Sequence, residues 1–261
     1  MKLPLFQVDA FTDTVFGGNP AAVCPLEAWL PDGVMQAIAA ENNLSETAFI
    51  VPRGDDYDLR WFTPAVEVPL CGHATLASAF VVCRHLHPGH GAVTFHTQSG
   101  PLRVRAGDGG FTMTLPRWSP EPVATPALAK ALGAPPEAVL ATARDYVVVF
   151  PSEAALLGLV PDFPGLAALD RDGILVTAPG DRHDFVLRYF APKVGVNEDP
   201  VTGSAQCSAA PYWARRLGKD TLVSRQISAR GGLLRSRVLD DAVAVTGACA
   251  LYLEGTISVP D

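Results

Sequence analysis

One stretch of the chain occurs twice, and this internal repeat constrains the fold more than any other sequence feature. Residues 59–74 read LRWFTPAVEVPLCGHA, and residues 187–205 read LRYFAPKVGVNEDPVTGSA. The first six residues of the copies align at an offset of 128 (187 minus 59) and the last six at 131 (200 minus 69), so the second copy is three residues longer. Two copies are too few for a solenoid. We therefore predict a pseudo-symmetric pair of domains that face each other.

The back half of each repeat copy leads into a predicted helix. Residues 72–87 place apolar side chains nearly all round the helix, which is typical of a helix buried in a core. Residues 203–217 form the second such helix, and Pro211 should kink it because proline removes a backbone hydrogen bond. Earlier in the chain, Asp32 is expected to cap a helix over residues 33–41. Strand patterns that follow the first repeat helix lie at residues 92–98, 102–105 and 110–115.

A proline-rich segment separates the two predicted domains. Residues 116–126 (PRWSPEPVATP) hold four prolines, a composition typical of a linker. A last strand pattern, at residues 252–259, is expected by symmetry to return to the first domain. We therefore predict an α+β chain, with a first domain at residues 1–115 and 250–261 and a second at residues 116–249.

The second predicted domain begins with short segments. Helices are predicted at residues 126–132 and 136–141, and Ser152 can cap a third. Strands are predicted at residues 146–149, 173–178 and 185–190.

Composition excludes several classes of partner. A net charge of −7 argues against a nucleic-acid or anionic-membrane partner. No basic and apolar leader opens the chain, and no uncharged stretch is long enough to span a bilayer. Five scattered cysteines without a C-x-x-C pair indicate reduced thiols. We therefore expect a cytoplasmic protein that acts on a small molecule.

The two repeat helices begin at glycines, Gly72 and Gly203. A helix start offers backbone N–H groups and the positive end of the helix dipole, which bind carboxylates well. Glycine also lets a ligand approach the backbone closely. Two such helix starts facing each other would form a cleft for a small anion. Tight packing alone would also account for both glycines.

Glu46, within NLSETAF, is the candidate general acid or base. It stands beside apolar residues, a setting suited to proton transfer near neutral pH. At the offset of 128 its counterpart would be Ile174, so the acid occurs in one half only. A capping role after Ser45 is the alternative interpretation.

Three further residues are candidates because the repeat copies differ there. His73 lies opposite Ser204, and the three-residue insertion brings in Asp199. His73 could carry a proton or donate to a carboxylate, although an isolated histidine beside an apolar helix is often a core residue. Asp199 could orient His73 or a substrate amine, or could simply form a turn. Ser204 offers a hydroxyl and a backbone N–H.

Several motifs together resemble the phenazine-biosynthesis (PhzF-like) isomerase family. They are FTDTVFGGNPAAV, NLSETAF, LRWFTP, CGHATLAS, EDPVTGSA and the final GTISV, in family order from Lys2 to Val259. The resemblance implies a diaminopimelate epimerase-like fold, in which two similar domains each curl a sheet around a central helix. It also implies a site in the cleft between them.

The resemblance implies an activity and residue roles as well. The family isomerises a dihydro-hydroxyanthranilate by moving a proton between ring carbons, without a metal or organic cofactor, and its members are commonly homodimers. Glu46 would be the proton shuttle, assisted by His73 and Asp199. The substrate would be held by Gly72, Gly203 and Ser204.

Two departures from the family pattern bear on the substrate. Leu70 stands where many relatives have Asp, and Gln206 where they have His; Gln keeps hydrogen-bonding capacity. The related epimerases use one cysteine from each domain, but here Cys71 aligns with Thr202, which disfavours two-thiol racemisation. The alternatives to an isomerase are an amino-acid racemase or epimerase and a non-catalytic protein that binds small anions.

Overall fold

The computed structural model of the protein describes residues 1–260, which form two compact units. Unit 1 comprises Met1–Thr114 together with the segment that begins at Thr246, and unit 2 comprises Leu115–Val245. Every helix in this described part of the chain is too short or too polar to pass through a membrane.

Short strands and helices alternate along the chain. The strands are β1 (Lys2–Ala10), β2 (Asn19–Pro25), β3 (Glu46–Arg53), β4 (Asp56–Phe62), β5 (Glu67–Val68), β6 (Ala92–Thr97), β7 (Gly100–Gly107), β8 (Gly110–Pro116), β9 (Glu121–Pro122), β10 (Ala138–Ala141), β11 (Asp145–Val149), β12 (Gly173–Pro179), β13 (Phe185–Phe190), β14 (Thr221–Gln226), β15 (Gly232–Val238), β16 (Ala242–Gly247) and β17 (Cys249–Ser258). The helices are α1 (Asp32–Asn42), α2 (Gly72–Val81), α3 (Pro126–Leu132), α4 (Glu153–Leu157), α5 (Phe163–Ala167) and α6 (Gln206–Leu217).

Both units build the same series of strand pairings. In unit 1, β17 pairs antiparallel with β1 and β1 antiparallel with β2; β2 then runs parallel to β3, β3 antiparallel to β4, and β4 parallel to β6. In unit 2, the same series runs through β9, β10, β11, β12, β13 and β14. The repeated sequence therefore produces a repeated structural unit, and the predicted α+β class is confirmed.

The strand register corrects one position in the alignment of the repeat. Thr47 of β3 lies opposite Phe62, and Ile174 of β12 lies opposite Phe190. Phe62 and Phe190 correspond, so β3 and β12 align at an offset of 127 (174 minus 47) rather than 128. Glu46 therefore corresponds to Gly173, and the expected correspondence with Ile174 is wrong.

Helix α2 lies in the interior of unit 1, as the all-round apolar pattern predicts. All but two of its residues are buried, and it packs against β1, β2 and β3. The α-helix ends at Val81, and a π-helical turn (Val82–Leu86) completes the segment predicted as one helix over residues 72–87.

The second repeat helix begins with a tighter turn. Gly203–Ala205 form a 3₁₀ turn, and α6 continues from Gln206 with Pro211 inside it. Trp213 fixes α6 to the sheet because its ring stacks on Phe185 and its indole N–H donates to Thr177 Oγ1 at 2.9 Å.

Two local predictions are wrong. Residues 136–141 were expected to be helical, but Ala138–Ala141 form β10 because their backbone pairs with β11 on one side and β9 on the other. Ala138 and Ala141 favour helix by intrinsic propensity, which sheet pairing overrides. Asp32 does not cap α1; it lies in the first turn, after Pro31.

Each unit contains an arginine–glutamate ion pair built from its repeat copy. Arg60 donates to Glu67 through Nε (2.7 Å) and Nη2 (2.6 Å). Arg188 donates to Glu198 through Nε (2.8 Å) and Nη2 (3.0 Å). The two arginines are related by the offset of 128 (188 minus 60) and the two glutamates by the offset of 131 (198 minus 67), so both pairs occupy matching positions of the repeat. Each pair fastens the loop before a repeat helix to the strand before that loop.

Removing the carboxylate charge from either pair should destabilise the protein. We expect Glu67→Gln and Glu198→Gln each to lower the free energy of unfolding by about 1–3 kcal/mol, because a half-buried guanidinium loses its charged acceptor. Urea denaturation measures this loss. The exposed pair Arg53–Asp58 is the control, and Asp58→Asn there should cost about 0–1 kcal/mol. Equal losses at all three sites would contradict the prediction.

Candidate active site

The structure brings Glu46 and His73 of unit 1 together. Glu46 is the first residue of β3 and pairs with Ala21 of β2, and His73 is the second residue of α2. His73 Nε2 lies 3.2 Å from Glu46 Oε2. The Glu46 side chain is 18% exposed and that of His73 only 7%. A partly exposed glutamate side chain therefore lies against a buried imidazole.

Burial fixes the protonation state of His73. Desolvation lowers the pKa of His73 to about 3, although the backbone carbonyl of Pro20 acts in the opposite direction. The imidazole is therefore neutral at physiological pH. In this pair, His73 stays neutral, and Glu46 is left as the group that exchanges protons.

Cys71 completes this group on the other side of the imidazole ring. Its Sγ lies 3.5 Å from His73 Nδ1. The residue precedes α2 in an extended conformation, and its carbonyl accepts hydrogen bonds from Thr75 N (3.2 Å) and Thr75 Oγ1 (2.5 Å). These bonds fix the backbone from which both Cys71 and His73 project.

Glu46, Cys71 and His73 are also a possible set of metal ligands. One donor atom from each residue lies within 4.8 Å of the others, and within residues 1–260 this is the one group of three such side chains. A carboxylate, a thiolate and an imidazole are all ligands that Zn²⁺ accepts in sites with an open position. The set is therefore compatible with a borderline-soft divalent cation.

Asp199 of unit 2 is held in a turn before the second repeat helix. Its carboxylate accepts a hydrogen bond from Thr202 Oγ1 at 2.5 Å, and its backbone N–H donates to Tyr189 O at 3.0 Å. Gln226 then closes the turn, donating to Asp199 O (2.7 Å) and accepting from Thr202 N (2.8 Å). Asp199 thus forms the turn that was considered as the alternative. Its direct part in proton transfer stays a prediction.

Gly203 and Ser204 lie at the start of the second repeat helix, as Gly72 does for the first. Gly203 is buried, whereas Gly72 and Ser204 are half-buried. Ser204 Oγ accepts a hydrogen bond from Arg144 Nη2 at 3.1 Å. The joint action of these residues with Glu46 and His73 on one substrate stays a prediction.

Sequence reasoning missed Arg144 and Asp145. Both Arg144 Nε (2.9 Å) and Nη2 (2.7 Å) donate to the Asp145 carboxylate, which is buried. The available signal was an adjacent Arg–Asp pair directly before an apolar strand, because a charged residue at the edge of a core needs a partner.

The two departures from the family pattern have different surroundings. Gln206 is buried, and its Oε1 accepts a hydrogen bond from Ser236 Oγ at 3.0 Å. Leu70 is half-buried in the loop before α2. The Gln206 side chain therefore has an amide–hydroxyl contact inside unit 2.

Comparison with known proteins identifies the family. The phenazine biosynthesis-like (PhzC-PhzF) family matches residues 8–255. The chain belongs to this family. A Pseudomonas aeruginosa protein named as an uncharacterized isomerase is 54% identical, covering 98% of this chain and 99% of its own. The crystal structure of a PhzF-family protein from Enterococcus faecalis is 45% identical, with a TM-score of 0.97, and covers 99% of this chain and 100% of that one.

More distant structures share the fold of this PhzF-like protein. A hydroxyproline epimerase from Agrobacterium vitis is 12% identical, with a TM-score of 0.61 over 100% of this chain and 93% of that one. At this identity the likeness concerns the fold alone. The predicted epimerase-like fold and the family resemblance are both confirmed.

The buried, neutral His73 should make stability depend on pH. Its pKa is lower in the folded than in the unfolded protein, so between about pH 3 and pH 6.5 the unfolded state binds more protons and acid destabilises the fold. The urea midpoint of the wild type should therefore fall between about pH 7.5 and pH 5. His73→Gln should show a smaller fall, whereas the exposed His90→Gln should match the wild type. An equal fall in His73→Gln would refute the assignment.

Proposed function

We propose that this PhzF-like protein is a cofactor-independent isomerase in which Glu46 moves a carbon-bound proton on a small carboxylate substrate. The observation that supports it is the 3.2 Å contact between the partly exposed Glu46 side chain and the neutral His73 imidazole. General acid–base catalysis needs a carboxylate that substrate can reach and a neighbour that holds it in place. Membership of a family whose relatives include named isomerases agrees with this reaction class.

The proposed reaction has two proton transfers and no net change in composition. The Glu46 carboxylate removes a proton from one substrate carbon, and the electron pair of that C–H bond enters the adjacent conjugated system. The Glu46 carboxylic acid then returns the proton to a different carbon, and the double bonds shift. The substrate is thereby isomerised and Glu46 is restored to its ionised form.

His73 is assigned a supporting part in this mechanism. A protonated imidazolium beside Glu46 would stabilise the carboxylate and weaken it as a base. The buried neutral ring instead places no full charge beside Glu46, which leaves the carboxylate basic. Asp199, Gly72, Gly203 and Ser204 stay in the proposal as substrate-orienting groups.

A small carboxylate is proposed as the substrate because of both the helix starts and the fold. Gly72 and Gly203 begin segments whose backbone N–H groups suit an anion. The hydroxyproline epimerase of related fold was solved with trans-4-hydroxy-L-proline, which is itself a small carboxylate. The cytoplasmic location and the homodimer also stay predictions.

Glu46→Gln tests the mechanism directly. Incorporation of solvent deuterium into small unsaturated carboxylates, followed by mass spectrometry, should fall by on the order of 10²–10⁴ because the amide cannot accept the proton. Glu41→Gln, which changes an exposed carboxylate of α1, is the matched control and should exchange at the wild-type rate. The proposal fails if Glu46→Gln exchanges as fast as wild type.

A thiol-dependent racemase or epimerase is the second candidate, favoured by the contact between Cys71 and His73. The sulfur lies 3.5 Å from Nδ1, close enough for the imidazole to influence the thiol. Against it, the repeat counterpart Thr202 carries a hydroxyl that already donates to Asp199. A two-thiol mechanism therefore has only one of its sulfurs at these positions.

Cys71→Ser separates the two candidates. Under the proposed mechanism, deuterium exchange should fall by less than about tenfold, because serine keeps a hydroxyl beside the imidazole and Glu46 is intact. A thiol-dependent reaction would instead lose most of its activity, and alkylation of the wild type would abolish it. Loss of exchange in Cys71→Ser to the level of Glu46→Gln would favour the racemase.

A further inference from the structure

Arg144 differs from the other two arginines that grip a carboxylate through Nε and Nη2. In Arg60 the third nitrogen, Nη1, donates to Asp32 at 2.9 Å. In Arg188 it donates to two backbone carbonyls at 3.0 and 3.3 Å. Within residues 1–260, Arg144 makes its hydrogen bonds through Nε and Nη2. Its side chain is also the most exposed of the three, at 34% against 20% and 14%.

The Arg144 guanidinium is held in place by the buried side chain of Asp145. The buried Asp145 carboxylate accepts both nitrogens of Arg144 and also the hydroxyl of Tyr189, at 2.8 Å. The space for this contact exists because position 173 is glycine. A Cβ there would overlap the Tyr189 hydroxyl and an oxygen of Asp145. Unit 2 thus fixes the direction of a guanidinium whose third nitrogen it does not use.

Two more contacts set the plane of the guanidinium. Its carbon lies 4.8 Å from the centre of the Trp118 ring, and Nη2 donates to Ser204 Oγ at 3.1 Å. Burial alone would lower the pKa of Arg144, but its electrostatic interactions with Tyr189 and Asp145 and the hydrogen bond to Asp145 raise it above its usual value. Arg144 is therefore a permanent, oriented cation beside the start of the second repeat helix.

The repeat shows which position of unit 1 this cation matches. Gly173 corresponds to Glu46 and pairs with Asp145, just as Glu46 pairs with Ala21. Arg144 therefore corresponds to Pro20, whose carbonyl lies beside His73, and Ser204 corresponds to His73 itself. Unit 2 thus has a cation and a hydroxyl at the positions where unit 1 has a carbonyl and an imidazole.

We propose that Arg144 binds the substrate's carboxylate group through Nη1, next to the Ser204 hydroxyl and the backbone N–H groups at Gly203. The proposal rests on the proposed function for the chemical class of the ligand, a small carboxylate. Asp145 occupies the Nε–Nη2 edge, and the N–H groups of Nη1 can donate charge-assisted hydrogen bonds to a carboxylate. The Asp145 carboxylate offsets the positive charge of Arg144, so the site favours a planar monoanion over a phosphate dianion.

The test compares carboxylates with their neutral amides. Isothermal titration of the wild type with 2-aminobenzoate and 2-aminobenzamide, and with benzoate and benzamide, measures what the negative charge contributes to binding. We expect the carboxylates to bind about 10- to 100-fold more tightly than the amides. Arg144→Gln should remove this preference and leave the affinity for the amides nearly unchanged. Wild type that binds both classes equally, or Arg144→Gln that keeps the preference, would overturn the proposal.

Three further variants keep the test decisive. Arg144→Gln leaves Asp145 without its cation, so Arg144→Gln/Asp145→Asn removes both charges together and should lose the preference in a folded protein. Arg144→Lys keeps the ion pair but has a single nitrogen, which Asp145 occupies, and should lose most of the preference. Arg216→Gln is the matched control: it removes a positive charge from an arginine that also lies over a tryptophan ring of unit 2, and should bind like wild type. Binding needs no turnover, so these results are independent of whether Glu46→Gln still exchanges deuterium.

Discussion

The paired arginine–glutamate contacts are the interaction on which the site geometry depends. Arg60 with Glu67, and Arg188 with Glu198, each connect a central strand to the loop that leads into a repeat helix. A helix start can present N–H groups in a fixed direction only if the preceding loop is fixed. The two arginine–glutamate pairs fix the preceding loop in both units. The other residues around the helix starts can therefore differ between the units.

The difference between the two units lies at three matched positions. Unit 1 has Glu46 and His73 where unit 2 has Gly173 and Ser204, and Arg144 stands where unit 1 has Pro20. In unit 2 the volume that an acidic side chain would need is filled by a tyrosine hydroxyl and a buried carboxylate. One copy of the unit thus retains a titratable pair, and the other retains a fixed cation.

The repeat made much of the fold predictable, because similar segments bury similar faces. The interior position of α2 followed from its apolar residues, and Glu46 and His73 were found from motifs that differ between the copies. Residues 136–141 were misassigned because alanine favours helix locally, whereas pairing with distant strands decides the outcome. Arg144 escaped prediction because its orientation also depends on Gly173 and Ser204, which only folding brings close to it.

The pairing of β17 with β1 determines when each unit can finish folding during synthesis. Unit 2 is one continuous segment, Leu115–Val245, and its last residue is synthesised before β17. Unit 1 lacks one of the two neighbours of β1 until β17 emerges, and Met1 N then donates to Val259 O at 2.7 Å. Closing the sheet across nearly the whole chain is a slow, non-local step. The Glu46–His73 pair therefore sits in the half of the protein that is completed last, after the half that carries Arg144.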